Sequence, residues 1–129
     1  MINFKHDKDK ELFFTLHPLL LLIYMDMAWY AKSIHGIDLT ITATASTEAE
    51  DKALGRTSTA HRKKIALDIR SKNINAFITN DLITYINSKE AYKSYRYESY
   101  SGIKRLAYLH VGSAEHIHVA LHSSFGDFE

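Results

Sequence analysis

The sequence contains no cysteine, which removes disulfides, cysteine-ligated zinc, iron–sulfur clusters and thiol nucleophiles together. A chain without thiols is indifferent to redox poise, so composition leaves its compartment open. An excess of one charge is also missing. Sixteen Lys and Arg face fifteen Asp and Glu for a formal net charge of +1, and no broad basic field exists to hold a nucleic-acid backbone. Nucleic acid is therefore not an expected partner. Proline occurs once and glycine five times in 129 residues, and no linker, internal repeat or low-complexity segment divides the chain. Its length suits a single domain over residues 1–129, with room for one site.

No apolar run is long enough to cross a bilayer as a helix. The most apolar segment, Leu12 to Met25, has fourteen residues against the roughly 20 that a spanning helix needs. It holds His17 and Pro18 and meets Asp26 at once. The stretch before it mixes Asp7, Asp9 and Glu11 with lysines, unlike the basic leader of a signal peptide. A buried amphipathic helix is expected there, with no membrane insertion and a cytoplasmic location.

What is present is a core. Hydrophobic residues make up 46% of the chain and charged residues 24%, which fits a folded domain and excludes disorder. Pro18 suits the first turn of a helix running to about 35, with Gly36 as its stop and a short helix over 9–16 before it. Residues 38–45 alternate with β-branched side chains and predict a strand. The polar stretch 46–60 predicts an exposed loop with a helical turn in its middle, and 65–70 a second strand. Asn73 or Asn75 caps a helix whose apolar positions include Ile74, Phe77, Ile78, Leu82 and Ile86. The segment 92–102 is rich in tyrosine and has no clear period. Tyr92, Tyr95, Tyr97 and Tyr100 suit either a ligand groove or packing over a sheet edge. Strands over 104–111 and 115–122, joined by a turn at 112–114, close the chain. The expected fold class is α+β, a small and mostly antiparallel sheet packed against helices.

The one compositional excess is histidine, eight residues with four between 110 and 122. Metal ligation by nitrogen and oxygen is the chemistry to test. Asp68 sits in a predicted strand between Leu67 and Ile69, and a buried carboxylate needs a partner. His61 lies seven residues earlier. His116 and His118 share one face of the last strand, while Glu115 faces the other way if that strand is regular throughout. A strand that begins only after Glu115 removes this conflict. Two histidines and a carboxylate form an open three-ligand set that leaves zinc a fourth position for water. A nearby carboxylate outside that set can serve as general acid and base. Together these point to hydrolysis of an amide bond.

His61, Ala66, Asp68 and Ile69, followed by Glu115 and His118 in EHIHV, resemble the zinc-binding pattern of the D-alanyl-D-alanine carboxypeptidase and hedgehog-like peptidase family, which includes phage endolysins. The family pattern is Ser-x-His, two residues, Gly-x-Ala-x-Asp, then a Glu-x-x-His or His-x-His segment. The resemblance covers roughly 38–122 and implies a hedgehog/DD-peptidase-like fold. It implies Zn2+ held by His61, Asp68 and His118, with Glu115 as the catalytic acid and base. The implied substrate is a peptidoglycan stem peptide, cut at an L-alanyl-D-glutamate or D-alanyl-D-alanine bond after membrane permeabilisation. Two positions depart from the pattern: Thr59 stands for the serine, and Lys64 for a glycine whose turn a side chain would strain. The family's substrate-binding arginine after the first strand is also missing. Arg56 is the nearest candidate for that task. His116 is a candidate neighbour of the cleft. His110 either flanks the cleft or is a surface residue at a strand end. His6, His17, His35 and His122 are expected to be structural. The alternative to catalysis is a non-catalytic module on the same scaffold that binds a wall peptide or a protein.

Overall fold

The computed structural model describes residues 2–99, 101–112 and 114–126. Tyr100 of the tyrosine-rich segment and Ser113 of the expected last turn lie outside these residues. The chain runs β1 (Asn3–Phe4), α1 (Asp7–Leu12), a 3-10 turn (Phe13–Thr15), α2 (Pro18–His35), β2 (Thr40–Ala43) and α3 (Glu48–Ala53). It continues through β3 (Ala66–Arg70), α4 (Ala76–Asn87), a 3-10 segment (Glu90–Tyr95), β4 (Tyr97–Glu98), β5 (Lys104–Arg105), β6 (Ala107–His110) and β7 (His116–Ala120). The result is α+β. Its main sheet has the order β1-β2-β3-β7-β6, and β4 and β5 form a separate ribbon. The sheet is mixed, because β1 runs parallel to β2 while the other pairs are antiparallel. Two residues, Asn3 and Phe4, are too few to give a period in the sequence.

Helix α2 is set at both ends. Pro18 occupies its first turn, the His17 ring accepts the Leu19 N–H at 3.1 Å, and Gly36 ends it with φ of 68°. Its Leu20, Ile23, Tyr24, Met27 and Ala31 are buried at helical spacing. Asn75, rather than Asn73, caps α4 by accepting the Ile78 N–H at 2.8 Å, a contact worth about 1 kcal/mol. Helix α4 buries Thr79, Leu82 and Ile86 and packs on α2. Leu82 and Ile86 join Leu67, Ile69, Ile117 and Val119 in one core. Since side chains alternate along a strand, the opposite face of β3 and β7 carries Ala66, Asp68, Arg70, His116 and His118. A row of polar residues on the face turned from the core is where a site can form.

The expected strand over 104–111 is broken at Leu106. Asn87 at the end of α4 accepts both the Leu106 and Ala107 N–H groups (2.8 and 2.9 Å) and donates to the Ala107 carbonyl at 2.8 Å. One side chain thus takes over the ladder for a residue and splits β5 from β6. The strand expected over 115–122 spans only His116–Ala120. Among the tyrosines, Tyr92 is buried and donates to Asp26 at 2.7 Å, and Tyr95 meets the Phe125 ring edge-on. Both therefore pack. Tyr97 lines a hollow described below.

Lys64 is the one non-glycine residue with positive φ (64°) among the described residues. Its N–H donates to the His61 carbonyl, and its own carbonyl accepts the His17 N–H at 2.9 Å. The turn that carries His61 is thereby fastened to the start of α2. A left-handed conformation costs a residue with a Cβ about 1–2 kcal/mol, partly offset by the greater freedom of glycine in the unfolded chain. Lys64→Gly is expected to stabilise the protein by about 0.5–1 kcal/mol, read as a rise in the denaturation midpoint. A lower midpoint would show that the lysine side chain contributes more than its strain costs.

Candidate metal centre

Antiparallel pairing of β3 and β7 sets Asp68 directly opposite His118, and the turn before β3 brings His61 to the same place. His118 Nδ1 lies 2.9 Å from Asp68 Oδ1, and His61 Nε2 lies 3.3 Å from the same oxygen. One ligand atom from each of the three residues falls within 4.8 Å of the other two. His61 and Asp68 are buried and His118 nearly so. These three residues form a group able to hold a metal ion.

The hydrogen bonds around His61 show why. Its Nδ1 lies 2.8 Å from the Thr44 carbonyl, which can only accept, so Nδ1 carries the proton. In the neutral ring Nε2 then presents a lone pair toward a carboxylate oxygen. Two acceptors facing each other at 3.3 Å need a proton or a cation between them, and a backbone carbonyl that fixes the other ring nitrogen is a recurrent support for metal-binding histidines. Donors roughly 2.0–2.1 Å from a tetrahedral ion stand about 3.3 Å apart, and His61 Nε2 and Asp68 Oδ1 are 3.3 Å apart.

Thr44 is itself fixed. Its N–H and hydroxyl donate to Asp9 Oδ1 at 3.0 and 2.6 Å, so buried Asp9 on α1 positions the carbonyl that orients His61. Nothing in the spacing of Asp9 and His61 marks this chain of contacts, because it passes through a backbone atom just after β2.

Burial alone would raise the Asp68 pKa, but the imidazoles beside it, His118 through a hydrogen bond from Nδ1, hold it well below the usual carboxylate range. Burial pushes the His118 imidazole down, against the opposing pull of Asp68. A neutral imidazole beside an ionised carboxylate is the protonation state a metal requires.

The remaining candidates divide. His116 approaches from the outer side, with Nε2 3.5 Å from Asp68 Oδ2 and Nδ1 donating to the Ala114 carbonyl at 2.8 Å. Its ring is oriented as that of His61 is. His110 is exposed and stacks on His116 with centroids 4.8 Å apart, so it flanks the group without entering it. Glu115 is exposed and lies one residue before β7, where the strand's alternation does not fix its direction. It is not among the three residues brought together. Arg56 Nη1 pairs with buried Asp51 at 3.1 Å, and its Nη2 lies 3.9 Å from Asp68 Oδ2. Thr59 is exposed and borders a hollow of about 260 Å3 with Ser58, Tyr97 and Ser123. His17 and His122 each cap a helical turn and His35 pairs with Asp81 at 2.7 Å, as structural residues would.

Two residues that the sequence does not single out complete the surroundings. Tyr108 of β6 pairs in register with His118, with ring centroids 5.2 Å apart. The Arg105 guanidinium stacks 4.1 Å from the centre of the Tyr108 ring and makes no ion pair among the described residues. The β6–β7 register identifies Tyr108 and the ring contact identifies Arg105, and pattern alone supplies neither.

Comparison of the chain with protein-family models, with curated protein sequences and with solved structures gives no match. The case for function therefore rests on the site.

Proposed function

We propose that the chain is a zinc-dependent peptidase that hydrolyses peptide bonds in peptidoglycan stem peptides, on a scaffold of the hedgehog and D-alanyl-D-alanine peptidase kind. The observation that carries this reading is the convergence of the His61 lone pair, the His118 imidazole and the Asp68 carboxylate, with one ligand atom from each within 4.8 Å of the others. A zinc ion held by them would polarise the scissile carbonyl and acidify a water molecule. Glu115 takes the proton of the attacking water and returns it to the departing amine. The left-handed Lys64 supports the family reading, since it falls where the pattern has glycine. The proposed setting is that of a phage or prophage endolysin, made in the host cytoplasm and released onto the wall when the membrane is permeabilised.

Both scissile bonds considered, L-alanyl-D-glutamate and D-alanyl-D-alanine, have an α-carboxylate on the residue that leaves as the amine. Arg56 is already engaged by Asp51. Arg105, held flat on Tyr108 beside His118 and without a carboxylate partner among the described residues, is better placed to bind that group. A second reading, a non-catalytic module that binds a wall peptide or a protein partner, is favoured by the exposed position of Glu115 outside the three-residue group.

Mass spectrometry of a muropeptide digest separates the two. Zinc-loaded protein is expected to release peptides cut at one stem-peptide bond, and a chelator to abolish the products. Bound metal with intact muropeptides would overturn the peptidase and leave the module.

A further inference from the structure

A second polar hollow, of about 330 Å3, lies where the 3-10 segment Glu90–Tyr95, the β4–β5 ribbon and the turn after β7 meet. It shares no residue with the metal centre. The side chains that give it its chemistry are Lys93, Arg96, Lys104, His122 and Ser124, with Glu98 as the acid among its described lining residues. The lining is thus dominated by donors. His122 Nδ1 accepts the Ser124 N–H at 3.1 Å, so the neutral ring keeps its proton on Nε2 and offers one more donor.

Arg96 is the informative residue. Its Nη2 donates to the Asn87 carbonyl at 2.5 Å, its Nε is buried without a hydrogen-bond partner, and it pairs with no carboxylate among the described residues. A half-buried guanidinium without a counter-ion bears a desolvation cost that an anion would offset. Lys104 makes no ion pair among the described residues, and Lys93 has only an exposed contact with Glu90 at 3.9 Å.

These donors also distinguish between anions. Bidentate binding of a carboxylate uses two adjacent guanidinium N–H groups. At Arg96, Nη2 is committed to Asn87 and Nε is enclosed. What remains is a set of single donors from separate chain segments, which suits a tetrahedral oxyanion with several free oxygens.

We propose that this hollow binds a phosphate group, as a monoester or as part of a phosphodiester. The site is independent of the peptidase reading, since it needs neither the metal nor Glu115. The zinc-loaded protein is titrated with inorganic phosphate while its amide resonances are followed. Saturable shifts are expected at Arg96, Lys104 and the 122–124 turn, with affinity about tenfold lower in the Lys93→Gln, Lys104→Gln double variant. Both lysines are exposed, so the variant should keep the wild-type spectrum. A Lys8→Gln, Lys10→Gln variant, with the same charge removed elsewhere, is expected to bind like wild type. Two further arms assign the source: a glycerol phosphate oligomer in solution and phosphatidylglycerol vesicles in sedimentation. Saturation by the oligomer alone indicates a phosphodiester polymer, and co-sedimentation alone a lipid headgroup. Shifts confined to the metal centre, or equal weakening in both double variants, would overturn the proposal.

Discussion

Asp68→Asn is expected to remove the metal from the protein while leaving the fold in place. The amide keeps the shape of the side chain, but it replaces an anionic oxygen ligand with a weakly basic one. The two imidazoles would then lack the charge they converge on. Altering a residue that merely supports a ligand costs metal sites roughly 10- to 100-fold in affinity, so loss of a ligand should cost at least about 100-fold. Elemental analysis after dialysis against trace zinc is the direct measurement, with circular dichroism to confirm the fold. Wild type should retain one equivalent and the variant almost none, and hydrolysis should vanish with the metal. A variant that keeps a full equivalent would mean that the metal sits elsewhere, and with it the assignment of His61 and His118 would fall. The neighbourhood makes that outcome unexpected. Among the described residues, Asp68 is the carboxylate that faces His61, His116, His118 and Arg56 together, at 2.9–3.9 Å, and its burial leaves little room for water to take its place.

Asp68 and His118 were legible in the sequence from local pattern, and His61 from the resemblance to a zinc-peptidase motif. An aspartate between Leu67 and Ile69 in a buried strand requires a partner, and two histidines at i and i+2 require a common face. The main helices were legible because Pro18, Gly36 and Asn75 obey the rules for helix ends. What stayed hidden depends on tertiary register. Asn87 breaks a strand nineteen residues away through its side chain, and no property of residues 104–111 announces it. The support of His61 by Asp9 passes through the Thr44 carbonyl, so residue type at 44 carries no signal for that bond. Tyr108 matters because β6 pairs with β7 in one register; shifted by one residue, it would face the core, and Arg105 enters only through its stacking on that ring. Arg56, the nearest candidate for the substrate-binding arginine that the family resemblance implies, was reachable only as a loop residue. Its pairing with buried Asp51 could not be read from a polar stretch of mixed charge.

Glu115→Gln should separate chemistry from metal binding. If Glu115 carries the proton from water to the leaving amine, the amide variant keeps its zinc and loses turnover by about 10²- to 10⁴-fold, the range that a general acid–base group supplies. The change should appear in kcat far more than in KM, since a proton in transit contributes little to holding the substrate. The strand that begins at His116 frees Glu115 from the alternation that would have turned it away from His118. Because Glu115 precedes the strand, its reach toward the three-residue group is not set by the alternation of the sheet. His116 is the competitor, with Nε2 already 3.5 Å from Asp68 Oδ2 and its ring oriented by the Ala114 carbonyl. His116→Ala is therefore the paired measurement. Loss of turnover in Glu115→Gln with near-normal kcat in His116→Ala supports the carboxylate as the proton carrier. The reverse pattern, with zinc retained in both variants, would move that role to the imidazole. It would also make the short step between His116 and Asp68 part of the chemistry rather than part of the wall around it.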